Sequence, residues 1–452
     1  MGFTRGDASA CVFRHHDRRL IATVHGDDFT VAGPKRMLDW MKHEMEAKYE
    51  LTELGRLGPA DTDDKEVKIL NRIIRWTTSG VEYEADPRQA EKVVRELGLV
   101  GVNPAKTPGI KRTYEDAMAE LPLEREKHSA FRGISARCNY LGPDRPEIQY
   151  AAKEICRFMA NPTDQGVLAL KRLGRFLEGR RRLVFSYPFQ EAAGIDTYSD
   201  TDWSGCVKTR KSTNGGCLLL GSHLIKSWSS TQGPISLSSG EAEFYGVVKA
   251  AGVALGYQAL MRDLGVEMAL RVWTDSSATM GICSRQGLGK LRHVDTRSLW
   301  VQQRVRDGSF ELRKVRGELN PADLFTKHLS SEERVISLLK LFGCRYEGGR
   351  ASGAPRLREA PGALEECILA ADMRYDPIGP TIEVDGFTYP AVKVDGLLVA
   401  EAYLHNDTIL PHQVRGDLSH LFPRAQVAEA FPEEEELEDA LEQFGRRRGA
   451  DP

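Results

Sequence analysis

YSDTDW, at residues 198–203, is the first of four acidic strings that decide the fold of this chain; the others are SSGEAEF (238–244), VWTDSS (272–277) and NPADLF (320–325). Each string has a carboxylate where a strand is predicted to end or a helix to begin: Asp200, Glu243, Asp275 and Asp323. Mg²⁺ prefers oxygen ligands, and two such ions can hold the attacking and leaving oxygens of a phosphodiester. The strings therefore predict a site for hard divalent cations.

The hydrophobic pattern around the strings alternates between strand and helix. It predicts strands near 195–203, 215–222, 223–230, 269–275 and 310–316. It predicts helices over 240–263 and 293–306, a short helix between the last two strands, and a final helix from 321. This order indicates an α/β (α+β) domain over residues 191–345.

Two of the four positions have an alternative. Ser238 is a natural helix N-cap, and Glu241 stands three residues further on, as in a capping box. This gives Glu241 a sufficient structural role, so Glu243 is the preferred ligand. Asp202 is the alternative to Asp200. Asp200, Asp275 and Asp323 also have an ordinary structural interpretation, as a turn residue, an N-cap and a first-turn residue respectively.

The strings and their surroundings resemble the ribonuclease H domain that ends copia-type retrotransposon polyproteins. RKSTNGG (210–216) and RHVDTR (292–297) carry the resemblance further. It implies a ribonuclease H-like domain with a five-stranded mixed sheet flanked by helices. It also implies hydrolysis of the RNA strand of an RNA–DNA hybrid, with two Mg²⁺ ions, or Mn²⁺ in their place, held by the four carboxylates. Arg292 and His293 are implied substrate contacts, although a solvated helix start explains them equally well.

Cellular relatives of this family have a mobile histidine in the loop before the fourth carboxylate. Here that loop is RGELN (316–320), which contains no histidine. Glu318 is the residue in it that could carry a proton instead.

VHGDDFTV (24–31) predicts two strands around a polar turn, after which a helix starts at Pro34. It resembles the turn that carries two adjacent metal-binding aspartates in reverse transcriptases, which implies Asp27 and Asp28 as metal ligands. A polymerase palm also needs an aspartate on an earlier strand, and fingers that hold template and nucleotide. About 25 residues precede the turn, so we expect truncation to have removed polymerase activity.

A basic stretch ends the helical segment that follows. Residues 67–84 predict a strand pair, Asp86-Pro87 predicts a helix start, and 127–180 are predicted helical. The basic residues are Lys171, Arg172, Arg175, Arg180, Arg181 and Arg182. They could follow a nucleic-acid backbone or form a solvated helix face.

The predicted regions are a partial reverse transcriptase palm (1–110), a helical connection or thumb-like region (111–190), the ribonuclease H domain (191–345) and a partly disordered acidic extension (346–452).

Charge and composition limit the partners. Residues 195–345 carry 20 Lys or Arg against 15 Asp or Glu, and residues 351–452 carry 9 against 20. A basic body suits a polyanion such as an RNA–DNA hybrid. No apolar run approaches the ~18–20 residues of a membrane span, so we expect an intracellular protein of the cytoplasm or nucleus that is not secreted. Eight scattered cysteines without a CxxC pair indicate reduced thiols.

Two other interpretations remain open. The chain could be a non-catalytic nucleic-acid-binding remnant, or a protein co-opted to bind a partner through its acidic extension. The rest of a retrotransposon polyprotein is a further candidate partner.

Overall fold

The computed structural model describes residues 1–357 and three strands further on. The chain divides into two units, Met1–Met373 and Arg374–Pro452. Apart from those three strands, the residues beyond 357, on which the predicted disorder of the acidic extension falls, lie outside the described residues.

The first sheet contains the hairpin predicted from VHGDDFTV. Its antiparallel strands are β1 (Thr4–Arg5), β2 (Val12–His15), β3 (Leu20–His25) and β4 (Asp28–Ala32), in that order. Gly26 makes the turn with φ +65°, a conformation that a side chain disfavours. Helix α1 (Lys35–Glu46) covers the sheet through a small core of Leu20, Ala22 and Met41.

The second sheet differs from the predicted strand pair because it begins with three strands, β5 (Glu66–Ile69), β6 (Arg72–Thr77) and β7 (Gly80–Glu84). The extra turn forms where Leu70 and Asn71 take positive φ angles of 48° and 66°. Asp86 then caps α2 (Pro87–Glu96) by accepting a hydrogen bond from the Arg88 amide, as the Asp-Pro pair predicts.

The predicted helical segment contains α3 (Tyr114–Met118), α4 (His128–Leu141), α5 (Pro146–Cys156) and α6 (Asp164–Gly179). Helices α2, α4, α5 and α6 enclose a core that includes Val93, Ile134, Leu170 and Phe176. After the predicted helical stretch 127–180, the chain forms β8 (Arg182–Pro188), which joins the second sheet beside β7. Its alternation of Leu183 and Phe185 with more exposed residues is a strand pattern.

The predicted five-stranded mixed sheet is confirmed. Its strands are β9 (Gly194–Asp202), β10 (Thr213–Leu220), β11 (His223–Thr231), β12 (Ala269–Thr274) and β13 (Glu311–Lys314). Their order is β11-β10-β9-β12-β13. The pairs β9–β12 and β12–β13 are parallel, and the other two are antiparallel. Helix α7 (Ser239–Asp263) packs across β9, β10 and β12, and the short α8 (Ser277–Ser284) follows β12.

Two predicted helices differ in the structure. The helix expected over 293–306 is a 3₁₀ turn at Thr296–Leu299 followed by α9 (Trp300–Arg306), since Asp295 caps the turn. The helix expected from 321 is a 3₁₀ turn, Pro321–Phe325, and a separate helix α10 (Glu332–Leu341). Ser331 starts α10 by accepting a hydrogen bond from the Arg334 amide.

Strand β14 (Cys344–Glu347) follows α10 and pairs antiparallel with β8, which completes the second sheet in the order β14-β8-β7-β6-β5. The second unit contributes an antiparallel meander of β15 (Thr381–Val384), β16 (Phe387–Val394) and β17 (Leu397–Ala400). No helix in the described part of the chain is long and apolar enough to cross a membrane. Within the same residues, all seven cysteines are free thiols.

Candidate metal centre

Three of the predicted carboxylates converge at one end of the mixed sheet. Asp200 lies near the end of β9, Asp275 directly follows the parallel neighbour β12, and Glu243 lies in the second turn of α7. Because β9 and β12 run parallel and adjacent, their carboxyl ends meet at the same edge of the sheet. Ligand oxygens of the three side chains lie within 4.8 Å of one another.

Gly246 lets α7 approach this edge closely. A Cβ atom at this position would lie 2.7 Å from both the Ser199 and the Thr201 hydroxyl oxygens. The glycine stands one helical turn after Glu243, so the close approach brings the glutamate against β9. The short spacing from Glu243 to Gly246 is therefore a packing requirement of the site.

Glu243 is the most perturbed of the three acids. Its side chain is 8% exposed, and Oε1 accepts a hydrogen bond of 3.1 Å from the Thr201 amide. Oε2 is buried and has no hydrogen-bond partner among the described residues. Burial, followed by the charges of Asp200 and Asp275, raises the pKa of Glu243 to about 9. A buried oxygen without a partner is costly unless something binds to it.

Asp200 and Asp275 share this electrostatic setting. Burial raises the pKa of Asp200 to about 6, although Lys327 and a hydrogen bond from the Thr326 hydroxyl act in the opposite direction. Burial, and then the charge of Asp323, also raises the pKa of Asp275. The three carboxylates thus repel one another in a site that only partly neutralises them.

A divalent cation fits this arrangement. It would supply positive charge where three carboxylates converge, and the Glu243 Oε2 atom, which has no hydrogen-bond partner among the described residues, could coordinate it. An all-oxygen donor set is suited to hard cations such as Mg²⁺. The geometry defines a place for a metal ion and leaves the identity of the metal open.

Asp323 lies beside the cluster but outside it. Its Oδ1 is 2.6 Å from the Lys327 ammonium, and its Oδ2 is 2.9 Å from the Arg334 guanidinium. Lys327 also lies 3.8 Å from Asp200 Oδ2. The structure therefore gives the fourth predicted ligand two cationic partners, and its role as a metal ligand stays a prediction.

The side chain of Glu241, the alternative ligand, already accepts hydrogen bonds at the start of α7. It is 1% exposed, and its Oε2 accepts hydrogen bonds from the Leu237 amide at 3.0 Å and from His293 at 2.9 Å. Ser238 accepts from the Glu241 amide, as the capping interpretation predicts. Asp202, the other alternative, does not belong to the group of three carboxylates.

The predicted basic contacts have different surroundings. His293 is bound to Glu241, whereas the neighbouring Arg292 is exposed. Arg180 pairs with Glu332, Arg181 with Glu178, and Arg182 with both Glu84 and Glu347. These five assignments as substrate contacts stay predictions, but the three arginines already have intramolecular acidic partners.

The aspartates of the N-terminal hairpin do not belong to the cluster. Asp27 and Asp28 are exposed, and their sheet contacts α7 where the Asp263 carboxylate accepts from the amides of Asp7, Ala8 and Ser9. That point lies twenty residues beyond Glu243, or about 30 Å along the helix. Among the described residues, the hairpin has no third metal-ligating side chain close to the pair.

Sequence reasoning missed the residues that hold the acids in place. Thr326 and Lys327 contact Asp200, the Thr201 amide contacts Glu243, and Arg334 contacts Asp323. The Thr-Lys pair directly after NPADLF was a local signal for two of them. Arg334 stands on the next helix and had no such signal.

No protein-family model matches the chain. It is similar to retrovirus-related Pol polyproteins from two Arabidopsis thaliana transposons. Against that of RE1 it is 30% identical over 204 residues, which cover 44% of this chain and 14% of the relative. Against the polyprotein of RE2 it is 29% identical over 331 residues, which cover 72% of this chain and 22% of the relative.

The corresponding polyprotein of transposon TNT 1-94 from Nicotiana tabacum is 23% identical over 324 residues, covering 68% of this chain and 23% of the relative. The chain thus spans less than a quarter of the length of these three polyproteins.

Proposed function

We propose that this chain, whose homologues are the retrovirus-related Pol polyproteins of copia-type plant transposons, is a retrotransposon-derived fragment that hydrolyses RNA in RNA–DNA hybrids. The observation that supports the proposal most directly is the cluster of Asp200, Glu243 and Asp275, with one buried carboxylate oxygen lacking a partner. The reaction belongs to the class of metal-dependent phosphodiester hydrolysis.

Divalent cations, when bound, would stabilise charge on the attacking and leaving oxygens. Asp200, Glu243 and Asp275 would hold the first ion, and the second ion of a Mg²⁺ or Mn²⁺ pair would also require Asp323. The Thr326 hydroxyl and the Thr201 amide hold Asp200 and Glu243 in fixed orientations. Such fixed ligands lower the reorganisation that catalysis requires.

Recognition of the hybrid should depend on its shape. Double-stranded substrates containing RNA are recognised mostly through phosphates and 2′-hydroxyls, with little contribution from base identity. Lys327 lies at the cluster, 47% exposed at its side chain, and can contact a phosphate that enters. Such hybrids form inside cells, which agrees with an expected cytoplasmic or nuclear location.

DNA synthesis is not part of the proposed activity. Asp27 and Asp28 are exposed on a turn and have no third metal-ligating residue near them in the described part of the chain. Polymerase chemistry needs two metal ions held together, and a third carboxylate from an earlier strand would be required to hold both. Primer extension by the purified chain above background would contradict this assignment.

The decisive experiment is cleavage of a hybrid labelled on its RNA strand by the full chain. We expect products with Mg²⁺ or Mn²⁺, none with a chelator, and none from a DNA duplex of the same sequence. Asp275→Asn should remove the activity, whereas Asp28→Asn should keep it. Cleavage that survives chelation or Asp275→Asn would overturn the proposal in favour of a non-catalytic nucleic-acid-binding remnant.

A further inference from the structure

A cavity of about 840 Å³ lies between the helical region and the loop that follows β9. Its walls come from α5, α6, the segment 108–112, the loop 205–209 and His328. This volume is in the range of sites that take small ligands. The cavity is separate from the three carboxylates, and none of them lines it.

The cavity is strongly positive. Seven Lys or Arg residues line it against three carboxylates, an excess of four positive charges. Burial, and then the neighbouring Arg175, lowers the pKa of Arg172, as expected where cations crowd together. A net charge of this sign, concentrated in a concave site with partly apolar walls, attracts anions.

Four of the cations form no ion pair within the described residues, although the charge of Lys111 favours the ionised form of Asp202. Lys111 and Lys171 make no ion pair within the described residues, Arg172 donates to the Thr107 hydroxyl, and Arg175 donates to the Asn103 carbonyl. By contrast, the cavity residues Arg112 and Lys208 share Glu120, and Arg157 pairs with Glu154. The Nε atoms of Arg172 and Arg112 are buried without a hydrogen-bond acceptor. An anionic ligand with several oxygens would give these donors their missing acceptors.

Two elements connect the cavity to the carboxylate cluster. His328 lines the cavity and directly follows Lys327, which contacts Asp200. Gly205 also lines the cavity, and a Cβ atom on it would lie 1.8 Å from the Asp202 carboxylate, two residues beyond Asp200. A ligand in the cavity would therefore contact the loop after β9, the strand that carries Asp200, and the segment after Lys327, which contacts Asp200.

The aromatic side chains of the cavity already have partners. The Arg112 guanidinium lies 5.0 Å from the centroid of Phe158, and Tyr150 meets both His328 and Lys153. Base stacking, which is common in sites for single strands, is therefore not favoured here. Recognition should rest on phosphate oxygens and be independent of base identity.

From these contacts we propose that the cavity is a binding site for phosphate esters, carried by a single nucleotide or by an unpaired nucleic-acid strand next to the carboxylate cluster. Its volume suits a ligand of this size and excludes a duplex. The site does not require the cluster to cleave anything, so it stands or falls separately from the proposed hydrolysis.

The first test measures the anisotropy of a labelled short oligothymidylate with the full chain in EDTA, over a series of salt concentrations. The cavity variant is Lys111→Gln/Lys171→Gln, and the control is Lys48→Gln/Lys68→Gln, which removes two exposed lysines outside the cavity. We expect the cavity variant to bind about tenfold more weakly and to lower the salt slope by about 1–2, as lost phosphate contacts do. The control should match the wild type.

The second test uses Cys206, which lines the cavity and whose thiol contacts Arg157 and the Thr209 amide. Alkylation by iodoacetamide is followed for its own peptide by mass spectrometry, so the other cysteines do not interfere. We expect oligothymidylate or a nucleoside 5′-monophosphate to slow alkylation several-fold in the wild type and not in the cavity variant. Protection by the mononucleotide alone assigns the site to free nucleotides, and protection by both assigns it to a strand as well.

An unchanged salt slope in the cavity variant, an equal loss in the control, or absence of protection at Cys206 would each overturn the proposal. Thermal melting of both variants checks that they fold. If the wild type binds as expected but never cleaves a hybrid, the proposed hydrolysis fails and the cavity site stands. If the wild type cleaves a hybrid while the cavity variant and the control bind the oligothymidylate equally well, the cavity site fails and the proposed hydrolysis stands.

Discussion

The carboxylate cluster and the Asp27–Asp28 hairpin contain the same chemical groups in opposite settings. The cluster gathers one acid from each of β9, α7 and the end of β12, and buries Asp200 and Glu243. The hairpin places two acids next to each other on an exposed turn. Burial and mutual repulsion raise the pKa values in the cluster. Convergence of distant elements thus concentrates buried negative charge that a cation would neutralise, whereas two neighbouring acids on an exposed turn do not.

The largest expected effect tests that comparison directly. Asp275→Asn should lower hybrid cleavage at least about 100-fold, which corresponds to about 2.7 kcal/mol of transition-state stabilisation, because a neutral amide holds Mg²⁺ poorly. Asp28→Asn, the matched change in the hairpin, should leave the rate unchanged. Rates within tenfold of each other for the two variants would break the comparison.

Raising the pH should destabilise the metal-free protein. Burial, with Asp200 and Asp275, raises the pKa of Glu243 to about 9, while an unfolded glutamate titrates near ~4.3. Between these values the folded state keeps a proton that the unfolded state has released, so the free energy of unfolding falls by up to about 1.4 kcal/mol per pH unit.

Urea unfolding in EDTA near pH 6 and near pH 8 measures this slope. Glu243→Gln should flatten it, and Asp28→Asn should keep it. Equal slopes for the wild type and Glu243→Gln would show that the carboxylate is not held in the buried state described here.

Metal binding should stabilise the folded protein through the cluster alone. A ligand that binds only the folded state adds about 2.7 kcal/mol at a hundred times its Kd. Mn²⁺ should therefore raise the Tm of the wild type and of Asp28→Asn equally, and leave the Tm of Asp200→Asn unchanged. A shift that Asp28→Asn loses would locate the ion at the hairpin instead.

The smallest expected effect separates the two glutamates of α7. Glu241→Gln should cost about 0.5–2 kcal/mol of stability, as for a weakened helix cap, and should retain metal binding. Glu243→Gln should abolish the Mn²⁺-dependent Tm shift without that loss of stability. Retention of the shift by Glu243→Gln together with its loss by Glu241→Gln would reverse the assignment.

The sequence predicted the cluster because each acid ends or begins an element whose periodicity is clear. The alternation in β9 and β12 and the caps of α2 and α7 are local properties, so they can be found without a fold. The contact between Asp323 and Arg334 is not local in this sense. Arg334 stands on α10, a helix that the prediction merged with the preceding turn.

The strand Arg182–Pro188 escaped prediction for a related reason. Arg180 and Arg181 precede this strand and Arg182 begins it, and the three extend the basic pattern of α6. The whole stretch therefore resembled a helix with a basic face that could bind nucleic acid. Arg181 pairs with Glu178, three residues away, whereas the partners of Arg180 and Arg182 (Glu332, Glu84 and Glu347) are between 98 and 165 residues away. Ion pairs between distant segments have no local signature, so only the tertiary structure separates Arg180 and Arg182 from Lys171 and Arg175.

The pairing of β8 with β14 has a mechanical consequence. Arg182 stands opposite Glu347, so the chain enters and leaves the region that carries the cluster at neighbouring points on one sheet. A force applied at residues 182 and 347 would load this short antiparallel ladder, while the region between its strands stayed out of the line of tension. Extension of the intervening 155 residues, 189–343, should therefore follow the rupture of β8–β14 as a later event in a single-molecule stretching trace.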